Sequence, residues 1–375
     1  MSIVLDIVRG MAAIAVLIGH AVQLGIYSGP WPFEFSLQHN AVIVFFVLSG
    51  ILITNSLQKH AGPTEFIVSR FCRIIPATII CLLFSVAVYA CIGSVLPAIV
   101  EGGKSLSVAE IVRTALFLGQ YNLSVAPIYN PPLWSLTYEI WFYIFFAVVV
   151  FSSGPWRIIA AILCLCLAGW QITIMLPSWL MGVMAAKVKV SKSSRTIFIF
   201  IACVISIILF CAFQVHYRFY GMLRGISVDV EAWRFSSYAF TDALLAFLIS
   251  CMFIFGRVLL PDDLRVPEAV RHAARIFAGS SFSLYLIHWP IIIVMHHAGL
   301  RAGEDVPMFL AILTLPVAAA LIVAPYIEGV AVQRLKHFVA MAVERNTCRR
   351  PMINQVDRID TGNDHPCDGA VKAVS

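Results

Sequence analysis

Four short segments of this chain place ionisable side chains inside apolar sequence. They are LDIVRGMAAIAVLIGH (residues 5–20), SRFCRIIP (69–76), WSLTYEIWFY (134–143) and FSLYLIHWPI (282–291). An ionisable group in a membrane-spanning helix costs several kcal/mol unless it faces protein, water or a partner. Each segment is therefore a candidate for chemistry or binding.

The first segment begins near Arg9 and ends at His20. Eleven residues of helix separate the two by about 16 Å, so His20 falls near mid-membrane if Arg9 marks the boundary. Asp6 can pair with Arg9 on one helix face, since the two are three residues apart. An imidazole titrates near neutral pH and can act as a general base or a nucleophile. A structural histidine bonded to a neighbouring helix is the alternative.

The second segment carries Arg70 and Arg73, three residues apart at the start of an apolar stretch. Two guanidinium groups on one side of a helical turn suit the oxygens of a phosphate group. The alternative is that they only flank a membrane helix on its positively charged side.

The last two segments supply an acid, a second histidine and two neighbours of the acid. Trp134 and Ser135 precede Glu139 on one helix, and Ser135 shares a face with it. Glu139 lies about 13 Å from Asn130, taken as the outer surface, and His288 also falls at mid-depth. A structural partner for arginine is the alternative for Glu139, and helix packing is the alternative for His288. Together with His20, these groups predict a shared polar cavity.

The elements that must position these residues are membrane helices. The chain has 375 residues, is 60% hydrophobic and only 12% charged, with a mean hydropathy of +0.89. This predicts an all-α, polytopic transmembrane helical bundle with about ten spans. The predicted spans lie near residues 8–27, 40–57, 74–96, 132–152, 156–174, 175–188, 196–214, 237–258, 277–298 and 307–327.

Charge and composition predict the topology and the domains. Most of the 26 lysines and arginines fall on one side of this ten-span arrangement, which places both termini in the cytoplasm. The net charge of +6 is then a topology signal and not evidence for nucleic acid. Residues 1–330 form the predicted membrane domain, and residues 331–375 a basic, partly disordered cytoplasmic tail. The two spans that flank Pro177 are short, and the stretch 106–119 reads as a half-helix. The cysteines suggest no metal site, so none is expected.

The four segments, with FFVLSGILIT (45–54), resemble the membrane-bound acyltransferase-3 family in family order. The resemblance implies a transfer of an acyl group, usually acetyl, from acetyl-CoA in the cytoplasm to a hydroxyl of a glycan such as an exopolysaccharide or O-antigen. It implies a multi-pass protein of the inner or plasma membrane. In this sequence His20 matches the essential histidine, Arg9 the first-helix arginine, Arg70 and Arg73 the RxxR pair, and Glu139 the acid. The usual DGLRG reads DIVRG here.

These roles lead to a hypothesis about the mechanism. His20 acts as a base or as an acyl relay, and Glu139 orients its imidazole. Arg70 and Arg73 bind the phosphates of CoA and Arg9 supports the entrance of the CoA site, while Trp134, Ser135 and His288 contact the acceptor. No metal takes part. A transporter or flippase for an acylated glycan is the alternative function. The sequence identifies neither the acceptor hydroxyl nor the oligomeric state, and it does not separate a covalent acyl-histidine from direct transfer.

Overall fold

The structure, a computed structural model, describes residues 2–31, 36–57, 62–93, 107–119, 130–226, 229, 232–261 and 266–348. Within these ranges the chain is helical without strands, and one isolated bridge joins Tyr27 to Gly303. The all-α prediction is therefore confirmed. The helices are α1 (Ser2–Gln23), α2 (Leu37–Ser56), α3 (Pro63–Gly93), α4 (Val108–Ala115), α5 (Trp134–Phe151), α6 (Gly154–Ala168), α7 (Trp170–Lys187), α8 (Ser194–Ala212), α9 (Val215–Gly225), α10 (Ala239–Leu259), α11 (Glu268–His297), α12 (Val306–Ala324) and α13 (Val332–Cys348).

The described helices are long and apolar enough for a multi-pass membrane protein. Eight of them pass that test individually, and a ninth span is added if the bent pair α6 and α7 crosses once. The ten-span count and the cytoplasmic termini thus stay predictions. The stretch predicted as a half-helix contains the eight-residue helix α4. The boundary expected at residue 330 falls in the π-helix Pro325–Ala331, and residues 349–375 of the predicted tail lie outside the described residues.

The predicted boundary between the spans 156–174 and 175–188 is wrong, because one helix, α7, runs across it. The chain bends by 118° between α6 and α7, and Gly169, with φ of 87°, joins the two helices. Glycine adopts a positive φ without a steric penalty, so the turn forms there. Pro177 lies inside α7. Membrane helices tolerate an internal proline where neighbouring groups take up the freed backbone.

Close helix packing at the FFVLSG motif depends on two glycines. A Cβ atom at Gly50 would lie 2.5 Å from the backbone oxygen of Trp179, and one at Gly182 would lie 2.1 Å from the oxygen of Val47. Small residues let membrane helices approach closely. The packing of α2 on α7 therefore requires glycine at both positions, and it fixes the neighbouring Ser49 against α5 and α7.

Helix α1 packs between α2 and α11. Gly10, which follows Arg9, provides the space for this contact, because a Cβ there would lie 2.2 Å from the ring of Phe277 on α11. Gly19 likewise packs against Gln38 on α2. This arrangement brings the end of α1, with His20, to the middle of α11.

Candidate active site

The candidate residues line two neighbouring cavities. We call the first the arginine cavity, which has a volume of about 80 Å³ and is lined by Arg9, Arg70, Arg73, Ser49, Ser135 and Glu139 among others. The second, the histidine cavity, has about 400 Å³ and is lined by His20, His39, Trp134, Trp289, Phe235 and Tyr238 among others. Val42 and Tyr285 border both cavities. The two spaces thus lie on either side of this residue pair.

Three guanidinium groups line the arginine cavity together with one carboxylate, that of Glu139. Arg9 comes from α1, and Arg70 and Arg73 come from successive turns of α3. Within the described ranges, no carboxylate oxygen lies within 4.0 Å of these groups. Arg70 donates from Nη2 to Ser56 Oγ at 2.5 Å, while its buried Nε has no partner. The cavity is therefore suited to an anionic ligand.

Glu139 lies at the wall of the arginine cavity in a network of hydroxyl groups. Its Oε1 accepts hydrogen bonds from Ser49 Oγ at 2.6 Å and from Tyr143 OH at 2.5 Å. Trp179 Nε1 donates to Ser49 at 3.2 Å. Ser49 and Tyr143 are not among the residues predicted from the sequence. Both are polar residues within apolar motifs, FFVLSGILIT and WSLTYEIWFY, and this is the signal by which they could be found.

His20 contacts His288 across the interface of α1 and α11. The distance from His20 Nδ1 to His288 Nε2 is 2.9 Å, and the rings stack with their centroids 5.1 Å apart. His288 Nδ1 lies 2.8 Å from the carbonyl of Tyr285 and 3.1 Å from that of Leu284. A carbonyl only accepts, so His288 carries its proton on Nδ1.

This proton on His288 also decides the state of His20. In the neutral His288 ring Nε2 is an acceptor, so Nδ1–H of His20 must donate to it. The neutral His20 ring then has its free lone pair on Nε2. Trp289 packs edge-on against the same ring at 5.1 Å and helps to fix its orientation. His20 is partly exposed and lines the histidine cavity, so its Nε2 is placed as a base or a nucleophile.

The structure corrects the prediction that Glu139 orients His20. Among the described residues, the imidazole of His20 has His288 as its hydrogen-bonding partner. Glu139 lines the arginine cavity instead. Asn130, which the depth estimate takes as the outer surface, contacts α11 two residues from His288. It is fully buried, and its Nδ2 donates to Leu286 O at 2.9 Å. Arg9 lines the arginine cavity, and no ion pair between it and Asp6 is present in the described chain.

The three predicted acceptor-binding residues lie in different places. Trp134 lines the histidine cavity, where it stacks on Phe235 with centroids 4.7 Å apart. Ser135 is buried at the arginine cavity, 2.6 Å from the hydroxyl of Tyr285. His288 is buried and lines neither cavity, so its predicted contact with the acceptor is replaced by its contact with His20.

Sequence reasoning missed a second histidine cluster beside the histidine cavity. His39 Nε2 lies 2.9 Å from Asp242 Oδ1, and His216 Nε2 lies 3.5 Å from the same oxygen. His216 is in α9, outside the apolar spans, and burial lowers its pKa to about 2, with a further contribution from His39. These residues come from α2, α9 and α10. No local pattern in the sequence connects them.

The fold and the two cavities define a multi-pass membrane protein with a cationic site beside a histidine site. The family model described as "Acyltransferase domain" matches residues 3–325. The chain therefore belongs to the acyltransferase-3 family, and the assignment from the five motifs is confirmed.

Two curated proteins show more limited similarity. Nodulation protein 10 of Rhizobium leguminosarum bv. viciae is 29% identical over 176 residues, which cover 40% of this chain and 45% of that protein. An O-acetyl transferase of Shigella phage Sf6 is 31% identical over 153 residues, 39% of this chain and 45% of that protein. The chain thus spans less than half the length of the curated relatives that it matches. No solved structure matches the chain.

Proposed function

We propose that this protein transfers an acetyl group from cytoplasmic acetyl-CoA to a hydroxyl of a saccharide at the inner or plasma membrane. The observation that carries the proposal is that His20, whose Nε2 keeps a free lone pair, lines a cavity bordered by the same Tyr285 and Val42 as the arginine cavity. One cavity then binds the donor and the other holds the acceptor.

A phosphate end of the donor is assigned to the arginine cavity because of the charge of this cavity, and the rest of CoA extends beyond its volume of about 80 Å³. CoA carries phosphate groups, and arginine forms charge-assisted hydrogen bonds with phosphate oxygens. Arg9, Arg70 and Arg73 have no carboxylate at ion-pair distance to compete with the ligand. Along α1, the rise from Arg9 to His20 is about 16 Å, a distance that the pantetheine arm of CoA must cover past Val42 and Tyr285.

The acceptor is assigned to the histidine cavity because of its size and its lining. About 400 Å³ falls within the range of small-molecule sites. The walls combine aromatic rings, which can stack on the apolar faces of sugars, with the amides of Gln23 and Gln38. The name of the phage relative, O-acetyl transferase, and the resemblance to enzymes that modify polysaccharides support a sugar hydroxyl as the acceptor.

The chemistry is assigned to the Nε2 lone pair of His20. It either accepts the proton of the hydroxyl or attacks the thioester and carries the acetyl group. His288 holds the ring in the required tautomer, as the buried carboxylate does in a serine hydrolase triad. Glu139 lines the donor cavity together with Ser49 and Tyr143, whose hydroxyl groups donate to its carboxylate.

The test is the transfer of label from acetyl-[14C]CoA to the glycan fraction of native membranes that contain the full-length protein. His20→Ala should abolish the labelling, while His297→Ala, a histidine in the last turn of α11, should leave it unchanged. Mass spectrometry of the glycan should show one acetyl group fewer in cells that lack the protein. Near-wild-type labelling by His20→Ala would refute the proposal. Glycan transport without dependence on acetyl-CoA would favour the flippase alternative.

A further inference from the structure

His39 and Asp242 form a buried pair on one wall of the histidine cavity. The 2.9 Å between His39 Nε2 and Asp242 Oδ1 is the length of an N–H···O hydrogen bond. Asp242 is fully buried in the first turn of α10, where the helix dipole favours a negative charge. Within the described chain, no lysine or arginine nitrogen lies within 4.0 Å of it. The imidazole of His39 is its hydrogen-bonding partner.

The hydrogen bond to Asp242 determines which nitrogen of His39 is free. A carboxylate oxygen accepts, so Nε2–H of His39 donates to it, and the neutral ring keeps its lone pair on Nδ1. The side chain of His39 is 11% exposed and borders the same cavity as His20. Trp134 stacks on the ring and Tyr238 packs against its edge, so the ring is held from two sides.

The chemistry of a covalent relay needs such a second base. His20 has one free lone pair, and once Nε2 carries the acetyl group it cannot accept the proton of the acceptor hydroxyl. His39 is the other imidazole on the described wall of this cavity. We propose that His20 carries the acetyl group covalently and that His39, positioned by Asp242, is the catalytic base for the acceptor hydroxyl. This rests on the acetyl transfer proposed above.

In the first step, His20 Nε2 attacks the carbonyl carbon of acetyl-CoA, the C–N bond forms and the C–S bond breaks. The proton on His20 Nδ1 passes to His288 Nε2, 2.9 Å away, so the acetylimidazole is neutral. His288 then holds two protons, and the carbonyls of Leu284 and Tyr285 accept from Nδ1–H. CoA leaves as the thiolate and takes a proton from water.

In the second step, the hydroxyl proton moves to His39 Nδ1 while the sugar oxygen attacks the acetyl carbon. The ester bond forms, the C–N bond to His20 breaks, and His288 returns its proton to His20 Nδ1. His39 releases its proton to water. The net reaction consumes acetyl-CoA and a hydroxyl and yields CoA and an acetyl ester.

A metal ion is the competing explanation for the same cluster. His39, His216 and Asp242 are ligand types for zinc, and His216 Nε2 and Asp242 Oδ2 are buried without hydrogen-bond partners. However, two ligands on one tetrahedral zinc ion, with bonds of about 2.0–2.1 Å, lie about 3.3 Å apart. The 2.9 Å separation of His39 and Asp242 fits a shared proton better. The observations therefore favour the base.

The test separates the two half-reactions. Full-length protein in glycan-free phospholipid vesicles should exchange acetyl groups between acetyl-CoA and [3H]CoA, which needs only the first step. His39→Gln should exchange within about twofold of wild type but label native glycan at least about 100-fold more slowly, the usual contribution of a general base. Hydroxylamine, which needs no base, should still yield acetohydroxamate with His39→Gln at a rate above its uncatalysed reaction with acetyl-CoA. His20→Gln should fail in exchange and in glycan labelling, and it should form acetohydroxamate only at the uncatalysed rate.

Further variants keep the test decisive. Asp242→Asn, of nearly equal shape, should also lose glycan labelling and keep exchange, and it replaces His39→Gln if that variant does not fold. His297→Gln is the matched control and should behave as wild type. With His39→Gln and acetyl-CoA alone, the peptide that contains His20 should gain the mass of one acetyl group.

Several results would overturn the proposal. Absence of exchange in wild type, with glycan labelling intact, would make His20 a direct base and leave the proposed function standing. Glycan labelling by His39→Gln within threefold of wild type, or equal loss of exchange and transfer, would remove His39 as the acceptor base. Stoichiometric zinc that is lost in His216→Gln would assign the cluster to a metal. Absence of glycan labelling by wild type would refute the proposed function itself.

Discussion

Replacing Arg73 by alanine should weaken the binding of acetyl-CoA without changing the chemistry at His20. Arg73 lines the arginine cavity, and no carboxylate oxygen lies within 4.0 Å of it in the described structure. Its guanidinium is therefore available to the ligand. Replacing Arg70 would be harder to interpret, because Arg70 also donates a hydrogen bond to Ser56 at 2.5 Å and its loss would change a contact within the protein.

The expected rise in the KM for acetyl-CoA follows from the loss of one charged hydrogen-bonding group, the guanidinium of Arg73. A hydrogen bond that involves a charged group contributes about 1.5–3 kcal/mol. At about 1.4 kcal/mol per factor of ten, its loss raises the KM for acetyl-CoA by about 10- to 150-fold. Because the interaction is with a remote part of the donor, kcat should change by less than about threefold.

The assay compares two donors as well as two proteins. We expect Arg73→Ala to lose part of the preference of wild type for acetyl-CoA over acetyl-dephospho-CoA, which lacks one phosphate. Arg73→Lys, which keeps the charge but not the planar fork, should fall between wild type and alanine. Arg271→Ala removes an exposed arginine that pairs with Glu268 at 3.4 Å, and it should have no effect on KM.

An unchanged KM for acetyl-CoA in Arg73→Ala would refute the assignment of the donor to the arginine cavity. So would a loss confined to kcat, since a residue that only binds the donor cannot produce it. A lowered melting temperature that matches the loss of activity would instead assign Arg73 a role in folding.

Three more predictions concern positioning, packing and pH. His288→Phe should lower kcat for transfer at least about 100-fold, because His20 loses the acceptor for Nδ1–H, and His288→Gln, which can supply an acceptor oxygen, should lose less. Gly182→Ala should destabilise the protein by about 1–3 kcal/mol in thermal melts, because its Cβ would lie 2.1 Å from the backbone oxygen of Val47. His216 has a folded pKa of about 2, below the ordinary value of 6.5, so its contribution to stability is complete above pH 6.5. Between pH 6.5 and about pH 2 it should fall by about 1.4 kcal/mol for each pH unit, and His216→Gln should remove this part of the acid sensitivity.

Matched variants test whether these effects are specific. Gly279→Ala is also a substitution within a helix, but no heavy atom lies within 4 Å of the added Cβ, so its melting temperature should not fall. His297→Gln should leave both transfer and the acid sensitivity unchanged. Equal destabilisation by Gly182→Ala and Gly279→Ala would contradict the packing argument. Full activity of His288→Phe would show that His20 needs no partner at Nδ1.

Much of this protein could be predicted from its sequence because the membrane makes polar residues conspicuous. An apolar chain that keeps Arg9, His20 and Glu139 in its helices does so at a cost, and each of the three lines a cavity. The helical class and the family followed from the same segments. Gly50 of the FFVLSG motif allows the close packing of α2 against α7.

Only the tertiary structure decided which polar groups meet. The rise of a helix gives the depth of a residue when the end of that helix is known, and for Glu139 the assumed end at Asn130 was buried. Depth also leaves open the direction in which a side chain points. The packing of α1 on α11 pairs His20 with His288, 268 positions away, and the packing of α2 beside α10 pairs His39 with Asp242, 203 positions away. Such contacts depend on helix rotation and neighbours, which no local pattern of residues encodes.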